Sequence, residues 1–228
     1  LVRSLRLLNQ MSSKEIDKLI DRVLQEKEYQ IKTKIESFSM IKLSDYKQTF
    51  IELVFVILAA GTSAKLAFKT VNILAKDDFV INASLSQIVS KLKECYRFYN
   101  VRGKYIFNSR NYIKDEYDNN FEKIFNLNST HYKRRNFFSS NTKIQGVGMK
   151  AASHFLRNIG FEDYAILDKH IIEIMKENGL ISKKFSVLNE KNYIKIEEIL
   201  REIALKHNIS LSTLDLVLWY SKTGKIIK

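Results

Sequence analysis

Proline is absent from this chain, and glycine occurs only seven times in 228 residues. Such a sequence has little turn chemistry for a fold built on strands and tight hairpins. Its apolar residues recur at three- and four-residue spacing, the period of a helix. Together these features predict an all-α fold. A hydrophobic fraction of 45% supplies a buried core and argues against disorder.

The periodicity places the elements. Ser12-Ser13-Lys14-Glu15 has the form of a capping box and predicts a helix start. Ile16, Leu19, Ile20, Val23 and Leu24 follow on one face. The stretch from Thr49 to Ala60 is apolar on most sides, interrupted by Glu52, and predicts a helix at the centre of a bundle. Gly61-Thr62-Ser63 predicts the end of that helix and the start of another carrying Leu66, Ala67, Thr70, Val71 and Leu74. Further helices are expected over 85–96, 102–112, 151–159, 169–178, 192–206 and 212–222. Gly160 and Gly179 close the third and fourth of these. Residues 108–142 read least clearly: Asn126 to Thr130 looks like a connection, while Phe121, Ile124 and Phe125 keep helical spacing. The expected organisation is two helical subdomains, 1–102 and 103–228, with the extreme N-terminus a candidate to pack against the second.

A net charge of +13 favours a polyanionic partner, through phosphate neutralisation and counterion release. Cys95 is the single cysteine, which excludes an internal disulfide and a four-cysteine iron–sulfur cluster. No cysteine–histidine set has zinc-site spacing, so neither metal nor cofactor is expected. The most apolar stretch is too short to cross a bilayer, and the N-terminus lacks the apolar core of a signal peptide. The expectation is a soluble, unexported protein of the cytoplasm.

One string carries chemistry. In Ile144-Gln145-Gly146-Val147-Gly148-Met149-Lys150-Ala151-Ala152, two glycines between apolar anchors predict a tight hairpin between helices. Glycines at 146 and 148 permit backbone angles closed to other residues. They also let a phosphate approach the amides at the helix N-terminus, the positive end of its dipole. Gly146, Val147 and Gly148 are therefore candidates to hold a nucleic-acid backbone, with Ile144 and Val147 anchored in the core. Lys150 lies on the first turn beyond the hairpin, where an uncharged amine can attack an electrophilic carbon and form a Schiff base. Asp168 stands just ahead of the next helix. Both have plain readings too: Lys150 as a surface lysine, Asp168 as an N-cap. Capping and catalysis are compatible, because a cap holds the carboxylate still. Lys133-Arg134-Arg135 is a basic run that suits either phosphate or solvent, and His154 and His170 read as helix-face packing.

The run from Gly146 to Gly160 (Gly-Val-Gly-Met-Lys-Ala-Ala-Ser-His-Phe-Leu-Arg-Asn-Ile-Gly), followed by Ala165-Ile166-Leu167-Asp168-Lys169-His170, resembles the helix-hairpin-helix DNA glycosylases. It looks most like the archaeal-type 8-oxoguanine DNA glycosylase/AP lyase branch. The similarity continues in Tyr96-Arg97-Phe98-Tyr99 and in the ending from Leu214 through Trp219 to Lys228. It covers most of residues 50–228. The resemblance implies a catalytic cleft between two helical subdomains, double-stranded DNA with oxidised guanine as partner, and base-excision repair as the activity. It makes Lys150 the nucleophile and Asp168 the essential carboxylate. Phe98 becomes a wedge filling the vacated base stack and Arg97 the residue facing the orphaned base. Trp219 and Lys228 become base-pocket elements, with the carboxylate of Lys228 reading the lesion. Two segments depart from the family pattern: Leu58-Ala59-Ala60-Gly61, where Leu-Thr-Ala-Asn is usual, and Ile144-Gln145-Gly146, where Lys-Gly is usual before the hairpin. A non-catalytic helix-hairpin-helix module, or a glycosylase for another modified purine, would share many of these features.

Overall fold

The computed structural model describes residues 2–184 and 189–226, with the backbone alone at 2–13. Lys228 lies outside the described residues. Regular structure among the described residues is helical throughout. Helix α1 spans Val2–Ser39 and runs unbroken through Ser12–Glu15. The capping box expected there is therefore inside a helix, where backbone bonding leaves no free amides to cap. Contacts divide the chain into two compact units, Ser39–Gly160 and a second composed of Leu1–Phe38 with Phe161–Lys228. They do not divide at residue 102, which lies within a helix spanning Tyr99–Tyr117.

The unit Ser39–Gly160 contains α2 (Tyr46–Ala59), α3 (Ala64–Ala75), the short α4 (Phe79–Asn82), α5 (Leu85–Lys93), α6 (Tyr99–Tyr117), α7 (Phe121–Leu127), α8 (His131–Ser139) and α9 (Met149–Asn158). As expected, α2 is its centre, with Thr49, Phe50 and every residue from Glu52 to Leu58 buried. Helix α3 buries Ala67, Thr70, Val71 and Leu74. Residue 103 marks a close helix–helix approach: a Cβ on Gly103 would lie 2.7 Å from Val89 Cγ2. The difficult stretch 108–142 resolves into the second half of α6, then α7 and α8. Asp118 and Asn119 adopt φ of 55° and 58° between α6 and α7. These side chains tolerate the left-handed region by bonding locally, so the chain turns there without glycine. Phe121, Phe125, Phe138 and Phe155 form a continuous aromatic cluster, the tightest pair being Phe138 and Phe155 at 4.7 Å between centroids. Glu52, the odd residue of α2, is buried and accepts a hydrogen bond from Asn158 Nδ2 at 3.0 Å.

The second unit joins α1 to α10 (Lys169–Glu177), α11 (Glu190–Lys206) and α12 (Leu211–Thr223). Its core combines Ile16, Ile20 and Val23 with Ile171, Met175, Tyr193, Leu200, Leu214 and Val217. Arg201 lies beside Asp163, Glu197 and Glu198, and Lys222 beside Glu173 and Glu177. No helix among the described residues is long and apolar enough to cross a membrane.

Candidate active site

Side-chain caps are the rule in this protein, which makes their absence informative. Asp45, Ser63, Ser84, Asn120, Thr130, Asn189 and Ser210 each accept a first-turn amide of the helix they precede. Helix α9 begins at Gly148 with no side-chain cap. Its first-turn amides are left for an outside acceptor, at the positive end of the helix dipole.

The hairpin before it is fixed from several sides. Ile144 and Val147 are buried, as their apolar character predicted. Asn141 Oδ1 accepts the amide of Lys143 at 2.9 Å, while its Nδ2 reaches the Tyr112 hydroxyl at 3.2 Å. Gly146 has φ +78°, and a Cβ there would lie 2.5 Å from the Tyr105 ring and 2.8 Å from Arg102 Nη1. Both backbone angle and space therefore demand glycine. Gly148 corrects the expectation of a special backbone at both positions. Its φ is −91°, open to any residue, and nothing lies within 4 Å of the place where its Cβ would be. What glycine supplies at 148 is open space over the amides.

Lys150 is exposed on the first turn of α9 and forms no ion pair with a described residue. The same helix presents His154 edge-on to Phe55 at 5.4 Å, and Asn158 to Glu52. Lys150, His154 and Asn158 are spaced at i, i+4 and i+8, so they share one face of α9. The basic run at 133–135 splits by burial. Arg135 is buried with Nη1 3.4 Å from Ser153 Oγ, tying α8 to α9, and the Arg134 guanidinium bonds the carbonyl of Ser129. Lys133 alone of the three is exposed.

At the start of α6 the chain presents Arg97 and Phe98. Phe98 is 37% exposed, with the Arg97 guanidinium 5.2 Å above its ring. Tyr96 beside it is buried, and its hydroxyl bonds the carbonyl of Leu58. Phe98 is the N-cap of α6 and makes no side-chain cap either. An aromatic tip with a cation on it, set on a rigid neighbour, is a surface suited to stacking on a base.

Asp168 lies in the other unit and caps α10. Its Oδ1 accepts the amides of His170 at 2.8 Å and Ile171 at 2.9 Å. The second oxygen has no partner among the described residues, so one oxygen anchors the group and the other is available. The irregular stretch leading to it, Tyr164–Leu167, is buried. It is pinned by α11: Glu197 Oε2 accepts the amide of Ala165 at 3.1 Å, and the Tyr193 hydroxyl donates to the Ala165 carbonyl at 2.6 Å and accepts from Leu167 at 3.3 Å. Sequence reasoning missed Tyr193 and Glu197. Glu197 is a carboxylate on the apolar side of an amphipathic helix, and that misfit was the available signal. Trp219 of α12 is half-buried, stands edge-on to His170 at 5.1 Å, and holds its indole N–H buried with no hydrogen-bond partner among the described residues. Such a donor has capacity for a ligand acceptor.

The geometry thus contains an open helix end with an exposed amine, an aromatic tip, and an anchored carboxylate. Residues 31–209 match the family model described as 8-oxoguanine DNA glycosylase. A protein of Picrophilus torridus named 8-oxoguanine DNA glycosylase/AP lyase is 38% identical over 216 residues, covering 93% of this chain and 98% of that one. A Thermoplasma acidophilum protein of the same name is 40% identical over 196 residues, 86% of this chain and 90% of its own. Among solved structures, the Methanocaldococcus jannaschii 8-oxoguanine glycosylase/lyase in complex with a 15mer DNA containing 8-oxoguanine superposes with a TM-score of 0.84. It is 33% identical, with 94% of this chain and all of that chain (100%) covered. The 8-oxoguanine DNA glycosylase of Thermotoga maritima gives 0.79 at 30% identity, covering 95% and 100%. Glycine hairpin, amine and capping carboxylate fall within the matched residues, and on these likenesses the chain belongs to the 8-oxoguanine DNA glycosylase family.

Proposed function

We propose that this protein is a bifunctional DNA glycosylase/AP lyase that removes 8-oxoguanine from double-stranded DNA, working as a monomer at the nucleoid. The observation that carries the reading is the uncapped start of α9: first-turn amides with no side-chain cap, and an exposed amine at Lys150 on that same turn. Relatives matched over nearly their whole length bear the same activity in their names.

The chemistry follows from the groups present. Gly146, Val147 and Gly148 hold the backbone of the damaged strand, and the lesion nucleotide leaves the stack. Phe98 fills the gap, with Arg97 facing the unpaired base. The Lys150 amine, uncharged at the moment of attack, bonds to the anomeric carbon. The bond from that carbon to the base breaks, and the base departs with the electron pair and takes up a proton. The Asp168 carboxylate balances the positive charge that develops on the sugar. Ring opening gives a protonated imine, which acidifies the neighbouring sugar proton. Loss of that proton expels the 3′ phosphate and cuts the strand. Trp219 and Lys228 are assigned to the base pocket, where oxidation of guanine turns a ring nitrogen from acceptor to donor.

Borohydride reduction tests this directly. With a panel of duplexes each carrying one lesion, a covalent complex should form with 8-oxoguanine opposite cytosine and with an abasic site. Lys150→Gln should abolish the complex and leave most duplex binding. Absence of a trapped complex with every lesion, alongside tight binding, would instead mark a non-catalytic helix-hairpin-helix module.

A further inference from the structure

Arg102 lies just inside α6, one turn from the Arg97–Phe98 tip, and its guanidinium is engaged within the unit Ser39–Gly160. Nη2 donates to the Ala60 carbonyl at 2.8 Å, at the C-cap of α2. The guanidinium centre lies 5.5 Å from the centroid of the Tyr105 ring, and Nε is buried. Nη1 lies 2.8 Å from the point where a Cβ on Gly146 would stand, with the Tyr105 ring 2.5 Å from that point. One residue therefore touches both the hairpin and the end of α2. The next residue of α2's end, Gly61, faces Phe98: a Cβ there would be 3.9 Å from Phe98 Cε2. The circuit closes where the Arg102 amide bonds the Phe98 carbonyl at 3.0 Å.

We propose that Arg102 is a positioning residue that holds the Arg97–Phe98 tip at a fixed reach from the Gly146 hairpin, so that gripping the duplex backbone and parting its bases occur together. The proposal rests on the glycosylase reading for its catalytic consequence, but the coupling has its own readout. Nη2 is committed to the Ala60 carbonyl and Nε is buried, so the coupling requires no phosphate contact from Arg102.

The test uses the whole protein and a duplex with an abasic-site analogue flanked by 2-aminopurine, whose fluorescence rises when it unstacks. The wild-type protein should give that rise, and Phe98→Ala should lose it. Arg102→Met should lose most of the rise while keeping the wild-type slope of log affinity against log salt. Its single-turnover excision of 8-oxoguanine should slow by roughly tenfold to a hundredfold, the cost of a displaced nucleotide. Arg102→Lys, which reaches only one of the two contacts, should fall between. A full fluorescence rise in Arg102→Met, or none in the wild type, overturns the proposal. So does a salt slope reduced by about 0.9, the signature of one lost phosphate contact, and so does complete recovery in Arg102→Lys, which would assign the effect to charge alone. If circular dichroism shows Arg102→Met unfolded, Tyr105→Leu removes the stacking platform and takes the same readouts. A wild-type protein that unstacks the abasic duplex yet traps no 8-oxoguanine complex would refute the glycosylase reading and leave the coupling standing.

Discussion

The same physical device, the positive end of a helix, is finished in opposite ways in the two units. In Ser39–Gly160 the start of α9 is left open by Gly148, with no side-chain cap for its amides. In the other unit the start of α10 is closed by Asp168, which brings the anion as part of the chain. The charge follows the same division. Residues 39–160 hold 19 Lys and Arg against 9 Asp and Glu, a net +10; the remaining residues hold 19 against 16, a net +3. One unit joins an uncapped helix start to most of the excess positive charge, and the other holds a carboxylate steady. A net positive charge over the whole chain favours a polyanion, and that charge is concentrated in one unit.

Substitutions at Asp168 probe the carboxylate side hardest. Asn is as good an N-cap as Asp, so Asp168→Asn keeps the fold and removes the charge. Excision should fall by a factor on the order of a hundred to a thousand, as when a transition-state charge loses its stabiliser, with thermal stability unchanged. Asp168→Ala should lose the same activity and about 1 kcal/mol of stability besides, the usual cost of a lost cap. Chemical denaturation beside single-turnover kinetics separates the two. Equal stability in both variants would mean that the cap contributes nothing.

The two hairpin glycines should respond in opposite ways. Gly146→Ala meets both a left-handed backbone and the Tyr105 ring, and should destabilise the protein by about 1–3 kcal/mol. Gly148→Ala meets neither, so stability should hold while affinity for undamaged duplex falls, because a methyl group now covers the amides. Denaturation midpoints and duplex titrations at fixed salt check the pair. A Gly148→Ala variant that binds normally would remove the open helix end from the phosphate contact. On the carboxylate side, Tyr193→Phe deletes both hydroxyl bonds to the stretch before Asp168. It should cost roughly 1–3 kcal/mol for the buried groups left unpaired, with a slower excision rate and unchanged duplex affinity.

Much of this was legible in the residues, and the illegible part has physical causes. The buried α2, the α3 face, the Gly160 and Gly179 helix ends, and the string from Ile144 to Ala152 follow from period and local stereochemistry, which sequence carries directly. The stretch 108–142 was obscured because Asp118 and Asn119 do the turning that glycine usually does. The start of α1 was misplaced because a Ser-Ser-Lys-Glu pattern is compatible with a helix interior as well as with its start. Glu52 with Asn158, and Glu197 with Ala165, are partners 106 and 32 residues apart. No local pattern specifies such pairs; only the fold brings them together. The expectation at Gly148 needed correction: its backbone angle is open to any residue, and the space around the place of its Cβ is empty.

The smallest expected effect lies in the second unit, where α1 meets the end of α11. Asp17 on α1 takes Lys206 as a partner and holds His207 Nε2 at 2.9 Å, while Asp21 holds His207 Nδ1 at 3.0 Å. Burial pushes the Asp17 carboxyl upward, but the hydrogen bonds and charges of Lys206 and His207 outweigh it and keep it below its ordinary 3.8. The unfolded chain therefore takes up this proton first as pH falls. The stability contributed by Asp17 is complete above about pH 4, near the unfolded value. It is lost as pH drops through the lowered folded value. Urea denaturation of the wild type and of Asp17→Asn should thus differ at neutral pH by no more than about 1 kcal/mol, because water screens a cluster this near the surface. The difference should shrink towards zero at the acid end, and also in high salt at neutral pH. Duplex affinity should be the same in both proteins throughout the neutral range. A gap between them that widens on acidification would reverse the sign of the linkage and assign the stability of this corner to packing rather than to charge.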